Sequence, residues 1–217
     1  MRPEQLTEHY PRLFHMAWPG SWTSVRRNGL LSTQSLVELS KLGPEESCAI
    51  LRQHRPESIE ISCYGLCTAT IRDQKPMDDK GVCRALRVDD PAPWYELLNS
   101  MVFFWPTIKR LRKMMGAKAY KGMRHDLLVV DTEKLVDRHH DKIRLSRMNS
   151  GATKPYPHPR CMGLFKTFEE FPFDERLKQR GRAMAIAEVC VVGSIPDIAD
   201  VVVDVHAVTL DNLGDLI

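Results

Sequence analysis

No uninterrupted apolar run in this sequence approaches the roughly 20 residues that a membrane-spanning helix needs, and the opening Met1-Arg2-Pro3-Glu4 has no secretory pattern. A cytosolic location is the expectation. No G-x-G-x-x-G follows a strand and no G-x-x-x-x-G-K-[ST] occurs, so the two common glycine-rich phosphate cradles are missing. A bound dinucleotide would have to be held by another route. The six cysteines (Cys48, Cys63, Cys67, Cys83, Cys161 and Cys190) form no paired C-x-x-C. They are too sparse for a disulfide scaffold, so free thiols are expected. Cys63 and Cys67 have no second pair at metal-ligand spacing. His125-Asp126, His139-His140 with Asp141, and His158 match no metal motif. Adjacent histidines on a helix diverge by about 100°, so no metal is expected. The G-x-S-x-G elbow of a serine hydrolase is also missing.

What is present is the composition of an ordinary globular chain: 217 residues, 43% hydrophobic and 27% charged. That length suits a single domain over residues 1–217. A formal charge of +3 is too mild to announce nucleic-acid binding by itself. Two local clusters are more basic: Lys109, Arg110, Arg112 and Lys113 with Lys118, Lys121 and Arg124 behind them, and Arg176, Lys178, Arg180 and Arg182. Each reads either as a solvated helix face or as a phosphate-contacting surface.

Short helices and strands are interspersed along the chain. A helix from Glu4 leads to a strand at Leu13–Met16. Ser21 and Gly29 bracket a helix over 22–28, and Ser32-Thr33 starts another over 34–41. Residues 44–54 and 94–98 read as helices, and 59–71 as holding a strand. Met101–Trp105 is a strand stopped by Pro106, followed by a helix to 115 that Gly116 ends. Leu127–Asp131 reads as a buried strand and 132–139 as a short helix, and Gly151, Pro155, Pro157, Pro159 and Gly163 make 149–164 a long loop. Strands over 185–192 and 200–208 finish the chain. Strict alternation with long helices is missing, which argues against a doubly wound parallel sheet.

Three segments carry chemistry. Leu13-Phe14-His15-Met16-Ala17, followed by Asn28-Gly29-Leu30-Leu31-Ser32, puts a histidine at the end of a strand with a glycine behind it. Such a histidine is either a core residue or a hydrogen-bond partner of a ribose hydroxyl, with nearby amides holding a carboxamide. In Met101–Trp105, three successive aromatics alternate in direction, so one leaves the main core unless both faces are covered. In Ala185–Val192, Glu188 interrupts an apolar run. Burying a lone carboxylate is costly, so it is either paired or functional.

These segments resemble those of the DarT-like DNA ADP-ribosyltransferases, whose opening signature is Y-H-I-T … I … G-L-L and whose late A-E-F-L-V … V-P segment holds a catalytic glutamate. The resemblance implies that His15 contacts the adenosine ribose of NAD. It implies that Met16 and Ala17 offer backbone groups to the nicotinamide amide, with Gly29 and Leu30 beside them. Ala17 stands where that family has threonine, so a side-chain contact is lost there. Phe104 or Trp105 would pack on nicotinamide, and Glu188, followed by Ile195-Pro196, would be catalytic. Arg72 lies where that family keeps an arginine, and would pair the pyrophosphate or, alternatively, Asp73 or Asp78. The order histidine, aromatic strand, glutamate is similar to that of poly(ADP-ribose) polymerases and RNA 2′-phosphotransferases. The runs at 98–105, 125–132 and 149–155 are also similar to a bacterial family of unassigned function.

The implied fold is α+β: a split pair of small, mostly antiparallel sheets with peripheral helices and an NAD cleft between them. The implied activity is transfer of ADP-ribose from NAD to a macromolecular acceptor, foremost a nucleic-acid base (DNA or RNA), with release of nicotinamide. Lys154, His158 and Arg160 in the long loop would offer phosphate contacts. A toxin neutralised by an antitoxin protein is the implied setting. The alternatives are an RNA 2′-phosphotransferase and a non-catalytic nucleotide-binding module.

Overall fold

The computed structural model describes residues 1–65 and 67–213. The first half comprises α1 (Pro3–His9), β1 (Arg12–Ala17), α2 (Trp22–Asn28), α3 (Thr33–Glu38), α4 (Pro44–Arg52), β2 (Ile59–Cys63), β3 (Cys67–Ile71), α5 (Asp79–Leu86), α6 (Ala92–Asn99), β4 (Met101–Phe104) and α7 (Ile108–Met115). The second half comprises β5 (His125–Asp131), α8 (Thr132–His139), β6 (Ile143–Ser146), α9 (Phe173–Arg180), α10 (Arg182–Ala185), β7 (Glu188–Val192), α11 (Ile198–Val201) and β8 (Val202–Val208). The architecture is α+β, with small antiparallel sheets and short helices. No helix is long and apolar enough to cross a membrane among the described residues.

Two three-stranded antiparallel sheets, β1-β5-β8 and β4-β7-β6, carry the fold, and β2-β3 form a separate hairpin. The larger sheets meet at one bridge. Phe14 donates to the Trp105 carbonyl at 3.0 Å, and Trp105 returns the bond at 2.8 Å. Past that bridge, the Phe103 carbonyl is taken by a side chain, the His15 ring Nδ1 at 2.9 Å, instead of by a β1 amide. A cleft therefore opens between β1 and β4, with His15 at its root.

Alternation along β4 sorts its side chains. Val102 and Phe104 enter the central core with Leu13, Val189, Val191 and Ile195, where Phe104 is 0% exposed. Burying a ring of that size contributes on the order of 2–3 kcal/mol. Phe103 and Trp105 take the opposite face and pack on two smaller clusters.

A second contact positions the cleft. Leu30 and Ile195 exchange backbone hydrogen bonds of 2.9 Å each. The approach is close enough that a Cβ on Gly29 would lie 2.8 Å from the Pro196 Cα, and Gly29 has φ +91°. Only glycine meets both conditions without strain.

Three expectations change in detail. Residues 59–71 form a hairpin that turns at Tyr64-Gly65, where Gly65 has φ +77°. Glu188 opens its strand instead of lying in its middle, because α10 occupies 182–185. The last strand starts at Val202, after α11.

Candidate active site

The cleft widens into a cavity of about 550 Å³, within the range of pockets that take cofactors and small ligands. Its walls come from the end of β1, the turn after α2, the end of β3, β4, and the loop at 149–151. His15, Met16, Ala17, Gly29, Leu30, Arg72, Trp105 and Glu188 all line it. Phe104 does not. It faces the central core, so of the two aromatics considered for ring packing only Trp105 is on the cavity, accompanied by Phe103.

Glu188 is 5% exposed, and both carboxylate oxygens accept from the Ser150 amide at 3.1 Å. Burial pushes its pKa up to about 7, opposed by the Ser150 hydrogen bonding and by the nearby Arg110 and Arg160 guanidiniums. The carboxyl therefore titrates near neutrality, where a general acid or base works best.

His15 lies at the opposite side of the split. Because a carbonyl accepts from Nδ1, that nitrogen carries the proton, and Nε2 remains an acceptor. Burial lowers its pKa to about 4; the Phe103 bond opposes this and the Arg72 charge adds to it. The imidazole is neutral at pH 7.

Arg72 donates from Nη1 to the Met16 carbonyl at 3.1 Å and lies over the Tyr120 ring, 5.6 Å from its centroid. It pairs with neither Asp73 nor Asp78. Asp73 accepts from the Tyr120 hydroxyl at 2.9 Å and from Ser58 at 3.2 Å. Asp78 caps α5 and binds Lys154. The Arg72 Nη2 is buried without a hydrogen-bond partner among the described residues, and burial depresses the guanidinium pKa. A buried guanidinium nitrogen with nothing to donate to costs free energy that an anion in the cavity would recover.

The long loop differs from expectation at Arg160. That side chain is 6% exposed and faces inward. It donates to the Ser150, Ala152 and His158 carbonyls at 2.6, 2.7 and 3.2 Å. It thus braces the turn that holds Glu188 and has no free donor fork for a phosphate. Lys154 pairs with Asp78 at 3.4 Å, and His158 is exposed.

Sequence reasoning misses Ser150 and Tyr120. Ser150 acts through its amide, which no residue type announces. Tyr120 sits in a basic stretch with no motif around it. Among the described residues, no group of three or more His, Cys, Asp or Glu side chains gathers where a metal ion would fit. His139 and His140 bind different acids, Asp197 at 2.7 Å and Asp141 at 2.8 Å.

Residues 11–202 match the model of a family of unknown function, DUF7002. The chain belongs to this family. No curated protein and no solved structure matches it. The DUF7002 match covers β1 through α11, so the bridge at Phe14, the loop at 149–151 and every cavity residue named above fall inside the family's own extent. The cavity is thus built from the part of the chain that defines DUF7002, and not from an appended segment.

Proposed function

We propose that this DUF7002 chain is an NAD-dependent ADP-ribosyltransferase with its NAD site in the cleft between the two larger sheets. The observation that carries the reading is the meeting of His15, Arg72 and Glu188, from three distant segments, around one cavity, with a buried carboxylate on one wall and an unpartnered guanidinium nitrogen on another. The fit to NAD is chemical. Arg72 Nη2 suits a pyrophosphate oxygen, Trp105 offers a planar face to nicotinamide, and neutral His15 accepts from a ribose hydroxyl through Nε2.

NAD supplies an ADP-ribosyl group whose bond to nicotinamide ionises towards an oxocarbenium-like transition state. Ionised Glu188 opposes the growing positive charge and bonds the ribose 2′-hydroxyl. The ribose–nicotinamide bond breaks and its electron pair leaves with nicotinamide. A lone pair of the acceptor forms the new bond to the anomeric carbon, and the acceptor's proton passes to Glu188. In line with the DarT-like resemblance, the acceptor is a nucleic-acid base, and the setting is a cytosolic toxin with an antitoxin partner.

An RNA 2′-phosphotransferase is less well supported. Such an enzyme calls for a set of phosphate-binding arginines, and the cavity's other arginine, Arg55, spends its guanidinium on the Ile50 and Arg72 carbonyls and Asn99.

The test is incubation with NAD labelled in the adenylate moiety, together with DNA, RNA or protein, while free nicotinamide is measured. Label on a macromolecule and stoichiometric nicotinamide are expected. Millimolar NAD should also raise Tm, since only the folded chain binds it, and His15→Ala should largely remove that shift. No shift and no release would overturn the assignment.

A further inference from the structure

Two basic stretches far apart in sequence meet at one end of the β4-β7-β6 sheet. Arg110 on α7 donates from Nη2 to the Met184 carbonyl at 3.1 Å. Arg176 on α9 reaches the same carbonyl at 3.4 Å, the Ala185 carbonyl at 2.6 Å and the Arg147 carbonyl at 3.1 Å. Arg180 and Arg182, exposed like Arg147, flank the Gly181 break between α9 and α10. The register fixes where this happens. Phe104 pairs with Val189, and Ser146 with Glu188. The chain leaving β4, the chain leaving β6 and the start of β7 therefore share one end of the sheet, and that end carries Glu188.

Five arginines gather there, with Glu188 near Arg110 and Glu175 near Arg176 as the opposing carboxylates. None of them pairs with a carboxylate among the described residues. Glu175, next to Arg176 on α9, is bonded to Gln179 at 2.9 Å. Glu188 is held by Ser150. Burial, and then the Arg147 and Arg180 charges, lower the Arg176 pKa, opposed by Glu175 and Tyr10. The Arg110 Nε is buried with no partner. Five positive charges against two carboxylates leave an excess of one sign at one place, which favours a polyanion.

We propose that Arg110, Arg147, Arg176, Arg180 and Arg182 form the docking surface for the phosphodiester backbone of a nucleic-acid strand, held against the Glu188 end of the sheet. This deepens the ADP-ribosyltransferase reading and rests on it for purpose, though not for binding. A protein partner fits less well, because protein interfaces have an apolar centre and Met184, 42% exposed, is the large exposed apolar side chain at this patch. Nucleic-acid interfaces are more polar and far more positive. Arg147, Arg180 and Arg182 are exposed and make no side-chain hydrogen bond among the described residues, so their forks are free for phosphate oxygens, while Arg110 and Arg176 give donors to carbonyls and add charge behind them.

Fluorescence anisotropy with labelled single-stranded DNA, single-stranded RNA and duplex, between about 50 and 300 mM salt and without NAD so that no transfer occurs, tests this in Glu188→Gln protein. Each phosphate neutralised on a single strand contributes about −0.7 to the slope of log affinity against log salt, so five give about −3.5. Replacing Arg147, Arg180 and Arg182 together with Gln should flatten the slope by about 2 and weaken binding at least roughly tenfold. A control triple of equal charge, Arg84→Gln, Arg87→Gln and Lys134→Gln, should bind like the parent. No salt-dependent binding to any oligonucleotide, equal slopes in both triples, or binding to anionic vesicles alone would overturn the proposal. The NAD-induced Tm shift separates the two failures. A shift without strand binding ends the docking surface, and strand binding without a shift ends the NAD reading.

Discussion

The Ser150 amide lies 3.1 Å from each carboxylate oxygen of Glu188, and the Ser150 carbonyl accepts from the Arg160 guanidinium at 2.6 Å. The backbone of one residue, across two successive peptide units, thus links a buried anion to a buried cation. The turn at 150–152 is held from outside by Thr153, whose Oγ1 would lie 2.7 Å from a Cβ at position 81, so Gly81 lets the loop seat against α5. The geometry of the carboxylate depends on a loop far from it in sequence.

That dependence makes Arg160 a positioning residue. Arg160→Met removes three donor bonds and a nearby positive charge that lowers the Glu188 pKa. The pH midpoint for nicotinamide release should move upward by about half a unit or more, since loss of a neighbouring cation raises a carboxyl pKa. Arg160→Lys should restore part of the midpoint but little of the rate, because a point charge cannot make the forked bonds. A pH profile unchanged in both variants would leave Arg160 with a folding role only.

Stability should respond to pH in two opposing ways. His15 and His125 have pKa values lowered from 6.5 to about 4, chiefly by burial, so their contribution is present above pH 6.5 and lost as pH falls towards 4. Glu188 has a pKa raised from 4.5 to about 7, so its contribution is present below 4.5 and lost as pH rises through 7. His125 is 1% exposed, faces Arg72 and Asp73, and leaves both ring nitrogens unpartnered among the described residues. His125→Phe keeps the ring and removes the titration. Urea unfolding should show it gaining about 2 kcal/mol over wild type at pH 4.5, beyond any difference at pH 7. An equal difference at both pH values would rule the histidine out as a source of acid sensitivity.

Local signals in the sequence carried most elements. Gly29 ends α2, Pro106 ends β4, and the apolar run at 127–131 is β5. β6, with the sequence Ile143-Arg144-Leu145-Ser146, escapes because four residues with an arginine among them have no period, and only pairing with β7 makes them a strand. α5 escapes because its capping Asp78 and half-polar face look like loop. In the site, His15, Arg72 and Glu188 are legible because their chemistry demands an explanation where they stand. Alternation separates Phe103 and Trp105 from Phe104 but carries no phase, so which face is the cavity emerges only when Leu13, Leu135, Ile195 and Ile198 cover the other.

The aromatics should therefore separate binding from folding. Phe104→Ala empties a fully buried site and should cost about 3–5 kcal/mol of stability. Trp105→Ala lines the cavity and is half-buried, so it should cost less stability and weaken NAD binding about tenfold, the scale of a stacked ring contact. Denaturation midpoints and NAD titrations on both proteins decide it. Unchanged NAD affinity in Trp105→Ala would remove its ring from the nicotinamide site.

Glu188→Gln isolates chemistry from architecture. The buried side chain accepts one backbone N–H and sits near Arg110 and Arg160. Glutamine keeps its size and can still accept from Ser150, but it cannot oppose positive charge. If ionised Glu188 stabilises the transition state more than bound NAD, NAD affinity should stay within a few-fold while nicotinamide release falls roughly 100-fold or more, about 2.7 kcal/mol of barrier. A glutamate that serves packing alone predicts the reverse, a change in Tm with turnover intact. The variant should also gain stability at pH 8 relative to pH 5 when set against wild type, because the carboxylate that burial disfavours is gone. Equal turnover in the two proteins would end the claim that this residue is catalytic. Lost turnover with lost NAD binding would assign it to the ground state instead.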